Sequence, residues 1–151
     1  MRIGFGYAAE VVKEGNAVHL GGVPFYYLDN QNVIQGTDIV LHAVADALYG
    51  ASALDELKNN PHQGFMQLSD LKTMERALHY AGYKVQNMDI TLVSNYGDVQ
   101  KPINKIHNNL IQTLFIKQEQ LCLKTAQEPQ RGHTNGNMIL KCFTTVLIEN
   151  R

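Results

Sequence analysis

Between residues 37 and 51 the apolar positions recur with helical spacing, in Thr37-Asp38-Ile39-Val40-Leu41-His42-Ala43-Val44-Ala45-Asp46-Ala47-Leu48-Tyr49-Gly50-Ala51. This predicts a helix that is apolar on nearly every side. Asp38, His42 and Asp46 stand four apart and form one polar stripe on it. The stripe has two readings. It is half of a metal site, or it is a buried histidine satisfied by its neighbours, with Asp38 at the helix start.

Around that helix the pattern predicts further elements. Residues 2–7 read as a short strand whose two glycines, Gly4 and Gly6, admit close approach of another backbone or a ligand. Ala17 to Leu20 and Val23 to Leu28 are strand-like, separated by a tight turn at Gly21-Gly22, and Asp29 to Asn32 is a polar connection. Asp55 to Gly64 reads as a loop. Ser69 is placed to cap a second helix with an apolar face of Leu71, Met74, Leu78 and Ala81, ended by Gly82. A strand follows around Met88, Ile90 and Leu92, then turn residues Ser94 to Asp98, then a third helix from Pro102 carried by Ile103, Ile106, Leu110 and Leu114. Leu121 to Lys124 is a strand, Thr125 to Asn137 a loop, and Met138 to Ile148 a long strand apolar on both faces, which predicts burial on both. The order implies an α+β fold: one domain over 1–151, with a mixed sheet, helices on one side, and a second subunit against the other.

Composition narrows the function classes. Thirteen Lys and Arg against 14 Asp and Glu leave a net charge of −1, with no basic patch for nucleic acid or anionic membrane. No apolar run reaches membrane-spanning length and the first residues lack a signal-peptide core, so a cytoplasmic location is expected. Cys122 and Cys142 fall in apolar stretches and are expected as small core residues, without a disulfide. His19, His62, His79, His107 and His133 show no ligand-like spacing and read as surface or loop residues.

Taken together, Arg2-Ile3-Gly4 with Gly6, Glu14-Gly15, Leu20-Gly21-Gly22-Val23, Asp38, Leu41-His42-Ala43, Asp46-Ala47-Leu48, Gly50-Ala51, Gly82-Tyr83, Asn87, Asp89 and Thr91 occur in a familiar order and spacing. The chain resembles the 2-C-methyl-D-erythritol 2,4-cyclodiphosphate synthase family of the non-mevalonate isoprenoid pathway over nearly its whole length. The resemblance implies a homotrimer of α+β sandwich subunits, with active sites for a small phosphorylated ligand at the subunit interfaces. There a zinc ion and a second divalent metal assist attack of the substrate's 2-phosphate on the β-phosphorus of a cytidine diphosphate arm, releasing CMP.

At the residues that carry this chemistry the chain departs from the family. His42 matches the family's helix ligand for zinc, but the Asp-x-His motif reads Ala8-Ala9-Glu10. Alanine has no donor atom, so the metal set implied is Glu10 and His42, with Asp46 or a substrate phosphate to complete it and a weakly bound zinc, magnesium or manganese, or none, as cofactor. The family's His-Ser pair, which contributes to phosphate binding, is Ile34-Gln35. Its Gly-Asp-Ile-Gly segment is Asp55-Glu56-Leu57-Lys58, where Glu56 keeps a carboxylate for the ribose. The cytosine loop corresponds to Ser94 to Pro102 with little likeness, and Lys-Ala-Thr-Thr-Thr-Glu corresponds to Lys124-Thr125-Ala126-Gln127-Glu128. Glu56, Lys124, Thr125 and Glu128 are thus the implied substrate-binding residues. The family's arginine position holds Asn135, with Arg131 nearby. Core and glycines are kept while every class of substrate contact is altered, the distribution expected where a fold is maintained and its reaction is not. Three functions follow from this: a trimeric binding or scaffold protein without the usual cyclase activity; a working phosphorus-oxygen lyase with a metal on Glu10 and His42; and an unrelated binding module using His107, His133 and Arg131.

Overall fold

A computed structural model describes residues 1–26, 33–34, 36–58, 66–129 and 136–151. Four long strands, β1 (Arg2–Val12), β5 (Tyr83–Ser94), β6 (Leu121–Gln127) and β7 (Met138–Asn150), form a mixed sheet in the order β1-β7-β5-β6. Its β1-β7 and β7-β5 pairs are antiparallel, the latter with a bulge between Val85 and Asn87, and its β5-β6 pair is parallel. A smaller sheet takes the order β3-β2-β4 from β2 (Asn16–Leu20), β3 (Val23–Tyr26) and β4 (Val33–Ile34). The helices are α1 (Ile39–Ser52), the single turn α2 (Asp55–Lys58), α3 (Leu68–Tyr80) and α4 (Ile103–Leu114).

Small residues set the position of α1. Gly4 and Gly6 lie on the face of β1 that meets the helix, and a methyl group on either would come within 1.9 Å of a helix carbonyl oxygen, that of Ala47 or Ala43. Ala43, Ala47 and Ala51 answer from the helix, one turn apart and fully buried. Two backbones therefore pack almost directly on each other, and the apolar remainder of α1, including Ile39, Leu41, Val44 and Leu48, fills the core with Met88, Ile90, Leu92, Leu140 and Val146 from the sheet. The glycines of residues 2–7 do admit a close neighbour, and it is the helix.

The sequence expectations need several corrections. Residues 55–58 are helical rather than loop. Ser69 does not cap α3: Gln67 holds the cap position, and its N–H donates to the Asp70 carboxylate at 2.8 Å. Thr125 to Gln127 continue β6 instead of opening a loop, because they pair with Leu92 to Ser94. Cys142 is buried but Cys122 is exposed, since the two occupy opposite faces of the sheet. His19 lies half-buried on β2, and His107 is held on α4 with its Nε2 3.0 Å from the Leu121 carbonyl oxygen, so neither is a plain surface or loop residue. Tyr27 to Asn32, Asn59 to Gly64, His62 and Arg131 to Asn135 fall outside the described residues.

The two faces of β7 differ in cover. Alternate residues from Met138 to Ile148 are buried against the helices, but the opposite face is open in the single chain, with Ile3 70%, Phe5 59% and Phe143 36% exposed. Phe5 and Tyr7 pack against Phe143 across the β1-β7 pair, at ring-centroid distances of 6.4 and 5.1 Å. Five apolar or aromatic side chains of β1, at Ile3, Phe5, Tyr7, Ala9 and Val11, share this face with Leu147 and Ile139. A contiguous apolar sheet face of this kind marks an interaction surface.

Candidate functional site

The amino terminus of α1 is fixed by one side chain. Asp38 is fully buried and caps the helix, its Oδ1 accepting from the Leu41 N–H at 3.1 Å and the Gly21 N–H at 2.9 Å, its Oδ2 from the Gly22 N–H at 2.8 Å. Gly21 and Gly22 both have left-handed φ angles, 58° and 81°, which turn their two amides onto the same carboxylate. Burial pushes the Asp38 carboxyl up to about 6, against the three amide bonds and the nearby His19, which favour the charged form. Asp38 therefore leaves the stripe as a structural anchor. The second of the two readings holds for it.

His42 and Asp46 lie one and two turns further on. Both line a cavity of about 400 Å³ with Tyr7, Ala8 and Ala9 from β1, Thr37 before the helix, Ile39, Ala45 and Tyr49 from α1, and Leu57 from α2. Asp46 is exposed, and its Oδ2 accepts from the Tyr7 N–H at 3.3 Å, tying helix to strand. The Thr37 hydroxyl is buried at the cavity wall with no hydrogen-bond partner among the described residues.

Glu10 does not share this cavity. Its carboxyl rests against Gly36, where an added methyl group would stand 2.7 Å from the carboxyl carbon. Ala8 packs on the core and offers the cavity only a methyl group. Among the described residues, no three His, Cys, Asp or Glu side chains converge as a metal site would require. A catalytic zinc takes three protein donors and an open position, and His42 alone of the family's set remains in the cavity. The residues present do not fit that ion.

The implied substrate residues lie elsewhere. Glu56 is exposed on α2, which packs against α1 and α3. Lys124 and Thr125 belong to β6, the opposite edge of the sheet from β1. On the open face Lys124 pairs with Asp89, and Glu128 takes the Lys141 ammonium at 2.9 Å, which holds that ammonium above its usual range. Within one chain these groups do not converge on His42. Ile34 and Gln35 and the Asn135 region are not described in their side chains. Sequence reasoning missed Thr37, whose only signal was its place just before the helix cap, and the Asp46 bond to the Tyr7 amide, which carries no sequence signal at all.

A model of the YgbB family matches residues 1–149. The 2-C-methyl-D-erythritol 2,4-cyclodiphosphate synthase of Syntrophomonas wolfei is 30% identical over 155 aligned positions, covering 99% of both chains. That of Agathobacter rectalis is 31% identical, covering 89% of this chain and 79% of the relative. Among solved structures, the Plasmodium vivax synthase superposes with a TM-score of 0.76 at 24% identity, covering 99% of this chain and 98% of that one. A Plasmodium falciparum protein solved as a CDP complex gives 0.75 at 23% identity, over 99% and 96%. The mixed sheet with its packed helices is the fold of those structures, and on the family match and the Syntrophomonas relative together, this chain belongs to the YgbB family.

Proposed function

We propose that the chain is a divergent cyclodiphosphate synthase homologue, tied by descent to isoprenoid biosynthesis, that lacks the usual cyclase activity and serves as a homotrimeric binding or scaffold protein. The observation that carries this reading is the cavity beside His42. Ala8 supplies no donor there, Glu10 is turned onto Gly36, and the one retained family ligand stands without the rest of its set. Phosphoryl transfer to a diphosphate needs cations where charge spreads over the oxygens, and among the described residues this cavity lacks the donor set that would hold a metal there. The rival reading, a working metal-dependent lyase using Glu10 and His42, requires the Glu10 carboxylate to leave Gly36 and enter the cavity. The two are separated by CMP release from 4-diphosphocytidyl-2-C-methyl-D-erythritol 2-phosphate.

Self-association is supported by two features. The apolar sheet face needs cover, and the implied residues lie at opposite edges of one sheet, where Glu56 and His42 of one subunit could meet Lys124, Thr125 and Glu128 of another only across an interface. Phe143→Glu, which places a charge at the centre of that face, is expected to convert a trimer to a monomer in light scattering at micromolar concentration. A wild-type chain that is itself monomeric there overturns the trimer.

A further inference from the structure

A second cavity, of about 630 Å³, opens between β3 and the start of α4 and has the size of a small-molecule site. None of His42, Glu56, Lys124, Thr125 and Glu128 lines it, and no residue of β6 contributes. The segment Ser94 to Pro102 reaches it on the side turned to β3, where the Tyr96 ring meets Phe25 edge-on at 6.3 Å. Tyr26, at the end of β3, presents a ring that is 53% exposed, and Pro24 and Pro102 extend this apolar wall.

The polar groups of the cavity are unequally matched. Asp98 Oδ2 accepts from the Lys101 ammonium at 3.0 Å and from the Tyr96 hydroxyl at 3.0 Å, and these two bonds hold its carboxyl below the usual carboxylate range. Asp98 is therefore charged at neutral pH and offsets Lys101. Lys105 stands four residues on, lines the same cavity, and is exposed, with no hydrogen bond or ion pair among the described residues. One ammonium is left over.

That excess selects the ligand's charge. A cation would be brought against Lys105 while Asp98 is already doubly engaged, and a dianionic phosphate would leave one of its charges unmatched. A monoanion is matched, and a carboxylate accepts readily from a lysine ammonium. The rings select the rest of the ligand, because an exposed tyrosine face and proline edges favour a flat aromatic body over a flexible chain.

We infer that the cavity between β3 and α4 binds a small aromatic carboxylate, its carboxylate on Lys105 and its ring on Tyr26 and Pro102. This gives the binding role proposed above a ligand class without depending on the state of the metal site.

The test is calorimetric titration of the purified full chain with indole-3-acetate and with benzoate, beside acetate, indole and benzylamine. Saturable binding of the two aromatic carboxylates is expected, with acetate and indole, which each carry half of the recognition, about tenfold weaker. Lys105→Gln is expected to weaken the aromatic carboxylates about fivefold and Tyr26→Ala about tenfold, whereas Lys72→Gln on α3 leaves them unchanged. All three side chains are exposed, and circular dichroism reports that each variant is folded. Absence of binding by both aromatic carboxylates overturns the inference. So does binding indifferent to Lys105→Gln or to Tyr26→Ala, and so does benzylamine or acetate binding as tightly as indole-3-acetate. None of these outcomes bears on CMP release, which tests the proposed loss of cyclase activity separately.

Discussion

Asp38→Ala is expected to lower the free energy of unfolding by about 3 kcal/mol, read from urea denaturation at neutral pH. The substitution strands the amides of Gly21, Gly22 and Leu41, which the carboxylate now satisfies in a fully buried setting. Each buried amide left without a partner costs about 1–3 kcal/mol, and loss of a helix cap about 1 kcal/mol, offset in part by release of a desolvated charge. The same carboxyl gives the protein a pH dependence whose sign follows from its elevated value. With the folded-state group raised from 3.8 to about 6 by burial, the folded chain holds this proton more tightly than the unfolded chain. The proton-linked part of the Asp38 contribution to stability is therefore fully present below pH 3.8 and is lost as the pH rises through 6, while its three amide bonds remain at neutral pH. Asp38→Asn lacks that titration, so the stability of wild type relative to Asp38→Asn should decline by roughly 2 kcal/mol between pH 4 and 7. A flat or rising difference contradicts the assignment.

Gly6→Ala is expected to cost about 4 kcal/mol or more, a large share of the stability of an ordinary domain. Its methyl group would stand 1.9 Å from the Ala43 carbonyl oxygen and 2.7 Å from the Ala47 nitrogen, both backbone atoms of α1. A second change, Ala43→Gly, should not rescue it, because the obstacle is the helix backbone and not the Ala43 methyl group. Gly50→Ala supplies the contrast on the same helix. The nearest atoms to its new methyl group are 3.7 Å away, in ordinary contact, so replacing a helical glycine there should be neutral or stabilise by about 0.5–1 kcal/mol. Far-ultraviolet circular dichroism and the soluble fraction on expression distinguish the two. A Gly6→Ala variant that melts within a degree or two of wild type would mean that α1 does not sit where the structure puts it.

These two positions also show what the amino-acid sequence disclosed. The 3.6-residue spacing from Ile39 to Ala51 and the glycines at 4 and 6 are local signals, and both the helix and the close approach were legible from them. Asp38 was legible only as a residue at a helix start. Its bonds to Gly21 and Gly22 span 17 and 16 residues of chain, and no local pattern encodes which distant turn will meet a cap. The surroundings of Glu10 were illegible for a related reason. Strand alternation puts it on the inner face with Ala8, but no local pattern encodes that its carboxyl rests against Gly36, 26 residues on. The strand from Leu121 ran on through Thr125 to Gln127 because pairing with β5 outweighs the weak strand preference of that polar stretch. The apolar stretch of β7 was legible as covered by helices on one face and left for a second subunit on the other; the chain's own helices cover the first and leave the second open.

Family membership rests on the fold's backbone, the glycines, alanines and caps that hold α1 on β1, and these are intact. The proposed loss of chemistry rests on Ala8 and Glu10. The measurement that meets it most directly is CMP release from 4-diphosphocytidyl-2-C-methyl-D-erythritol 2-phosphate by the purified chain with zinc and manganese supplied, beside the Ala8→Asp/Glu10→His double variant. The account predicts no release above buffer by the wild-type chain, whatever the double variant recovers. Sustained, metal-dependent turnover by the wild-type chain, abolished by His42→Ala, would contradict it.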